Sequence, residues 1–265
     1  MKLCDFGLAR TLPAETKIDK AIKGCKSRRE IAEELKVSRK ERQKRKRELS
    51  NHVVSRWYRA PEVILAETSY DQAIDIWAGG CILSEMISMS DHYSSMITPE
   101  DRFIFTGTSC FPLSPCDKMK KAKDNSKAIV SKNDQLRVIL QILGYQTDED
   151  ASFISGRSSQ DYLTTLQSTE TKINFTLEYP KTHERLCNTL DSMLQFNPYF
   201  RGTASDLLKN KIFDNIRDPK MEEPAPFKIV LEYDEANCFD YSECKSKTHD
   251  LEDLKRIFRQ EIELI

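Results

Sequence analysis

YDQAIDIWAGGCILSEMI, residues 70–87, is apolar on nearly every side, and a helix of that kind belongs in the middle of a helical lobe rather than on its surface. Asp75 stands within it among Ile74, Ile76 and Trp77, an acid in apolar company. Downstream, residues 133–143 (NDQLRVILQIL) open on a capping Asn133 and stop before Gly144, start and stop signals that predict a helix. Residues 184–196 and 203–210 repeat the helical period. Residues 250–261 (DLEDLKRIFRQE) form a last amphipathic stretch with acids first and bases later, the order a helix dipole prefers. Upstream, residues 1–10 read as the end of a strand and the turn after it, and residues 11–49 are polar and charge-rich. No internal repeat is visible, and the chain reads as mainly α.

Bulk properties narrow the classes without choosing one. A chain of 265 residues has room for one large domain or two small ones and for a sizeable core. Its formal net charge of −1 gives no global pull toward nucleic acid or membrane. The apolar runs fall far short of a membrane span, and the opening residues lack a secretory leader. These features agree with a soluble intracellular protein without a membrane partner; a monomer in the cytoplasm, the nucleus or both is the expectation. The eight cysteines are scattered without a C-x-x-C pair. Reduced, partly buried thiols are the expectation.

Residues 17–48 depart from that balance. They hold 14 Lys/Arg against 6 Asp/Glu, a local charge of about +8, densest in residues 36–47 (KVSRKERQKRKR). A solvated insertion, disordered or fraying-helical, is the plain reading. A nuclear-localisation or nucleic-acid patch and a site for an acidic protein are the sharper ones. The stretch has no aromatic residue, which argues against base stacking.

Two triplets carry the chemistry: Asp5-Phe6-Gly7 and Ala60-Pro61-Glu62. With residues 2–10 (KLCDFGLAR), 54–65 (VSRWYRAPEVIL), 70–86, 134–144 (DQLRVILQILG), 196–201 (FNPYFR) and 218–235 (DPKMEEPAPFKIVLEYDE), they occur in the order found in the C-terminal lobe of protein kinases. The chain resembles the mitogen-activated protein kinases from Lys2 to its end, broken by insertions. The resemblance implies a kinase-like C-terminal lobe, ATP and Mg²⁺ as cofactors, and proline-directed phosphorylation of protein Ser/Thr. Its implied organisation is a strand end and turn over 1–10, an activation segment over 11–62 with the basic insertion 17–48, a helical lobe over 63–214, and an extension over 215–265.

The resemblance also implies roles. Asp5 would hold Mg²⁺ against the ATP phosphates, Cys4 would line the ATP pocket, and Ser55 would bond the catalytic Asp and Lys. Glu62 and Arg201 would form a buried ion pair, and Asp75 would be the buried helix acid that receives the catalytic loop. The usual Thr-x-Tyr phosphorylation sites read Ser50-Asn51-His52. Ser50 can accept phosphate, and the resemblance makes Arg10 a receiver of that first phosphate and Arg56 and Arg59 the receivers of the second; His52, at the second position, cannot accept phosphate as Tyr would. Single-site activation and constitutive ordering both stay open. Asp218, Glu222 and Glu223 resemble an acidic docking patch for basic motifs in activating kinases and substrates, with a solvated loop as the alternative.

No glycine-rich loop, nucleotide-binding Lys or H-R-D-x-x-x-x-N loop stands in these residues, so the N-terminal lobe and the catalytic loop are expected to be absent from the chain. Three readings follow. One is a mitogen-activated kinase whose sequence is truncated at its N-terminus, inactive as these residues alone. Another is a non-catalytic docking or scaffold fragment, and the third a binding protein acting through the basic insertion.

Overall fold

The computed structural model describes residues 16–44, 55–67, 70–96, 98, 100–110, 132–167, 169–218, 220 and 222–223. The chain divides after Asp218 into two units, Met1–Asp218 and Pro219–Ile265, four residues beyond the boundary expected from the sequence. Among the described residues every regular element is helical, apart from an isolated parallel bridge between Ser109 and Asp134. The helix expected over residues 250–261 lies outside the described residues.

The described part of the insertion, residues 17–44, is helical and packed, contrary to the expectation of a solvated or fraying stretch. It forms α1 (Lys17–Gly24), α2 (Arg28–Val37) and α3 (Arg39–Gln43). A reciprocal capping box starts α1: Thr16 accepts from the Asp19 amide while the Asp19 carboxylate accepts from Thr16. Ser27 caps α2 by accepting from the Glu30 amide at 3.2 Å. Ile22, Ala32 and Leu35 are buried, so helix formation here is sustained by packing as well as by caps.

The central helix is α5 (Ala73–Ser88), preceded by the single turn α4 (Pro61–Ile64). It is less enclosed than its composition suggests. Trp77, Gly80, Cys81, Ser84, Ile87 and Ser88 are buried, whereas Asp75 and Met86 are exposed. A residue two positions before Trp77 lies about 200° around a helix from it, on the opposite face. That geometry overturns the expectation of Asp75 as a buried acid. Partial packing around its carboxyl still pushes it above its ordinary value.

The chain continues through α6 (Gln135–Leu143), α7 (Arg157–Leu166), α8 (Phe175–Glu178), α9 (Glu184–Met193) and α10 (Ala204–Leu208); α9 packs on α5 and α8, and α6 on α7. The cap of α6 is Asp134, accepting from the Leu136 amide at 3.1 Å, rather than Asn133. Gly144 ends it at φ 71°, a left-handed conformation that glycine adopts without strain. Cys25, Cys81, Cys110 and Cys187 are free, and burial pushes the Cys81 thiol up to about 12.

Glu67 is a buried carboxyl at the end of the turn after α4. It accepts from the Ser155 amide (2.8 Å) and hydroxyl (2.7 Å). Burial pushes its carboxyl above the ordinary 4.5, against the pull of those two bonds and of Arg42. A carboxyl raised in the folded state binds more protons there than in the unfolded chain. Its contribution is therefore complete below about pH 4.5 and is lost as pH rises through the raised value. Glu67→Gln, which can keep both bonds to Ser155, should flatten that part of the stability–pH profile in urea titrations. An unchanged slope would show that other groups set it.

Candidate functional site

The resemblance places the backbone of residues 53–59 around the residue after the phospho-acceptor, and 55–59 of these are described. Ser55 is exposed and precedes a 3₁₀ turn, Arg56–Tyr58, closed by amide bonds to the Ser55 and Arg56 carbonyls. Pro61 then opens α4, where its missing N–H and fixed φ suit a first turn. Across from this stretch runs the segment 103–108, and the two enclose an open cleft of about 520 Å³ lined by Ser55, Arg56, Trp57, Tyr58, Phe103, Gly107 and Thr108.

Side chains tie the two walls together. Arg56 donates to the Thr108 carbonyl at 2.8 Å and the Trp57 indole N–H to the Gly107 carbonyl at 3.0 Å. The Trp57 ring lies 4.9 Å from that of Phe103, tilted by 46°, and remains 37% exposed. Tyr58 donates to Glu85 at 3.0 Å. Burial and that bond push the Tyr58 phenol above its ordinary value. Gly107 is held from behind, its amide donating to Gln135 Oε1 at 3.0 Å. A Cβ there would fall 2.6 Å from Gln135 Cα. Gly107→Ala should therefore shift the far wall and cost about 1–3 kcal/mol, read as a lower urea midpoint with a change in Trp57 emission. An unchanged midpoint would mean that the wall yields freely.

Glu62 and Arg201 make a two-pronged pair at 2.6 and 2.7 Å, with both side chains 1% exposed. The remaining Arg201 donors reach the carbonyls of Gln195 (2.8 Å), Ala73 (2.9 Å) and Phe196 (3.3 Å). Its guanidinium sits 5.0 Å over the Trp77 ring, and Trp77 stacks on Phe105 at 5.1 Å. This knot joins α4, α5 and the turn after α9.

The other expected residues fare differently. Cys4, Asp5, Arg10, Ser50 and His52 lie outside the described residues. Arg56 is partly exposed, but Arg59 is only 5% exposed, and its charge offsets part of the rise that burial gives the Cys110 thiol. As a phosphate receiver Arg59 would first have to become accessible. Asp75 is exposed. Asp218 ends the first unit, exposed; Glu222 and Glu223, also exposed, belong to the second.

Sequence reasoning missed Asp134, buried and accepting from Tyr162 (2.7 Å) and Ser109 (3.4 Å). Burial, then the Asp134 charge, pushes the Tyr162 phenol far above its ordinary value. It also missed Arg28 and Arg42, which the basic run concealed. Among the described residues no group of three or more His, Cys, Asp or Glu could hold a metal, and no helix is long and apolar enough to cross a membrane.

A family model described as protein kinase domain matches residues 1–213. A mitogen-activated protein kinase of Fusarium vanettenii is 30% identical over 262 residues, covering 99% of this chain and 54% of the relative. Mitogen-activated protein kinase PMK1 of Pyricularia oryzae gives the same identity and coverage. Human mitogen-activated protein kinase 13 is 32% identical over 189 residues, 71% of this chain and 42% of the relative. The chain spans about half the length of the relatives it matches.

Proposed function

The chain belongs to the protein kinase family, and from that premise we propose that it is the activation-segment and helical-lobe portion of a mitogen-activated Ser/Thr kinase acting ahead of proline. Protein kinases use ATP with Mg²⁺, which supplies the phosphoryl group and offsets its charge. In this reading Cys4 and Asp5 face that nucleotide, Ser55 bonds the catalytic pair, and the cleft beside Trp57 takes the residue after the acceptor. Phosphate on Ser50 would be read by Arg10, while Arg56 and Arg59 stand where the family receives its second phosphate. Asp218, Glu222 and Glu223 would draw basic motifs of substrates and of an upstream kinase.

The observation that carries the reading is the Glu62–Arg201 fork, 139 residues apart in sequence and buried together. It fastens the end of the proposed activation segment, just past the substrate-facing stretch, to the lobe. Phosphoryl transfer depends mainly on positioning and charge stabilisation. Because the glycine loop, the phosphate-binding Lys and the catalytic base have no counterpart in these 265 residues, we also propose that this chain alone transfers phosphate only at background rates.

The test uses the protein purified from its own cells, with labelled ATP and paired peptides carrying Ser-Pro or Ser-Ala. Transfer to Ser-Pro at least roughly tenfold faster is expected, since a pocket-sized apolar difference discriminates on that scale. Equal rates would contradict proline direction. Rapid transfer by the isolated 265-residue chain would contradict its proposed dependence on further parts.

A further inference from the structure

The insertion touches the lobe at two points that converge on one residue. Arg42, in the midst of the basic run, is 2% exposed and donates to the carbonyls of Phe153 (2.8 Å), Leu35 (3.0 Å) and Ser152 (3.5 Å). Its neighbours Lys40, Glu41, Gln43 and Lys44 are exposed. A guanidinium leaves water only where it finds acceptors, so the one that does so marks a specific seat. Gln43 adds a bond to the Ser155 carbonyl at 2.5 Å. At the other end Arg28 donates to Gln195 Oε1 at 3.1 Å and lies 5.0 Å over the Phe200 ring.

We propose that Arg42 and Arg28 are positioning residues for the stretch 55–62, the folded insertion serving as a brace on Glu62; the functional meaning of the brace rests on the kinase reading above. One route runs from Arg42 through the carbonyls of 152–153 to Ser155, which donates twice to Glu67. The Glu67 amide in turn donates to the Glu62 carbonyl at 2.9 Å. The second runs from Arg28 to Gln195, whose carbonyl accepts from Arg201, and Arg201 forks onto the Glu62 carboxylate. Backbone and side chain of Glu62 are thus held from two directions by one inserted module. The hold is made of standing charges and carbonyls and needs no phosphate. In a kinase it would seat the substrate stretch before any modification upstream of Ser55.

Hydrogen exchange of the full 265-residue chain tests this without nucleotide or substrate. Missing kinase activity in the protein purified from its own cells would therefore refute the functional reading and leave the brace standing. Arg42→Met keeps much of the buried volume and removes the donors. It should speed exchange of amides in 62–67 and 152–155 on the order of tenfold or more, with α6 unchanged. Arg42→Lys should restore part of the protection, which general loosening would not explain. Unchanged exchange over 62–67, or an equal rise in α6, overturns the proposal. If Arg42→Met does not fold, Arg28→Ala, an exposed position, decides by the same comparison: faster exchange at 62–67 than in α6 supports the brace, and no difference refutes it.

Discussion

Arg201→Ala should lower stability by about 3–5 kcal/mol, because it strands the Glu62 carboxylate in a site closed to water. Glu62 is 1% exposed, and Arg201 supplies both of its fork partners. The loss extends beyond the pair: three backbone carbonyls, of Gln195, Ala73 and Phe196, give up donors at the same time. Arg201→Lys should recover only part of this, since an ammonium cannot reproduce a planar fork plus three further bonds. The expected readout is a drop in urea midpoint, with the Lys variant between Ala and the native protein. A native-like midpoint for Arg201→Ala would mean that water or a rearranged cation repairs the site.

Trp77→Ala is the companion case, expected to cost about 3–5 kcal/mol through the cavity it leaves. Trp77 is fully buried, stacks on Phe105 with ring planes 11° apart, and lies beneath the Arg201 guanidinium. Because the two residues touch, their losses should not add. The double variant Trp77→Ala, Arg201→Ala should fall short of the summed single effects, since either change already loosens the knot under α4. Strict additivity in urea titrations would show that the ring and the cation act independently.

These two residues also mark what the sequence could disclose. Glu62 and Arg201 are legible through their motifs, and their pairing follows from the resemblance. Trp77 is legible as the centre of an apolar helix. The exposure of Asp75 is recoverable from helical rotation, which puts it opposite Trp77; its apolar neighbours obscured that. The choice of Asp134 over Asn133 as cap was not decidable locally, because both side chains cap well. What settles it is distant: Tyr162 and Ser109 bond the Asp134 carboxylate.

The insertion divides in the same way. Its helix starts were readable in Thr16-x-x-Asp19 and Ser27-x-x-Glu30, and its packing in Ile22, Ala32 and Leu35. Its docking was not readable, since Arg42 is one cation in a run of cations. Two of the three carbonyls that single it out lie more than a hundred positions away. Charge counting treats all such residues alike, whereas desolvation separates them.

The proposed reaction itself is tested most directly by phosphate transfer from labelled ATP, comparing the protein from its own cells with its Asp5→Asn variant. A carboxylate that serves the nucleotide's metal should be indispensable, and the account predicts a loss of roughly a hundredfold or more. Transfer at the native rate by Asp5→Asn would contradict it.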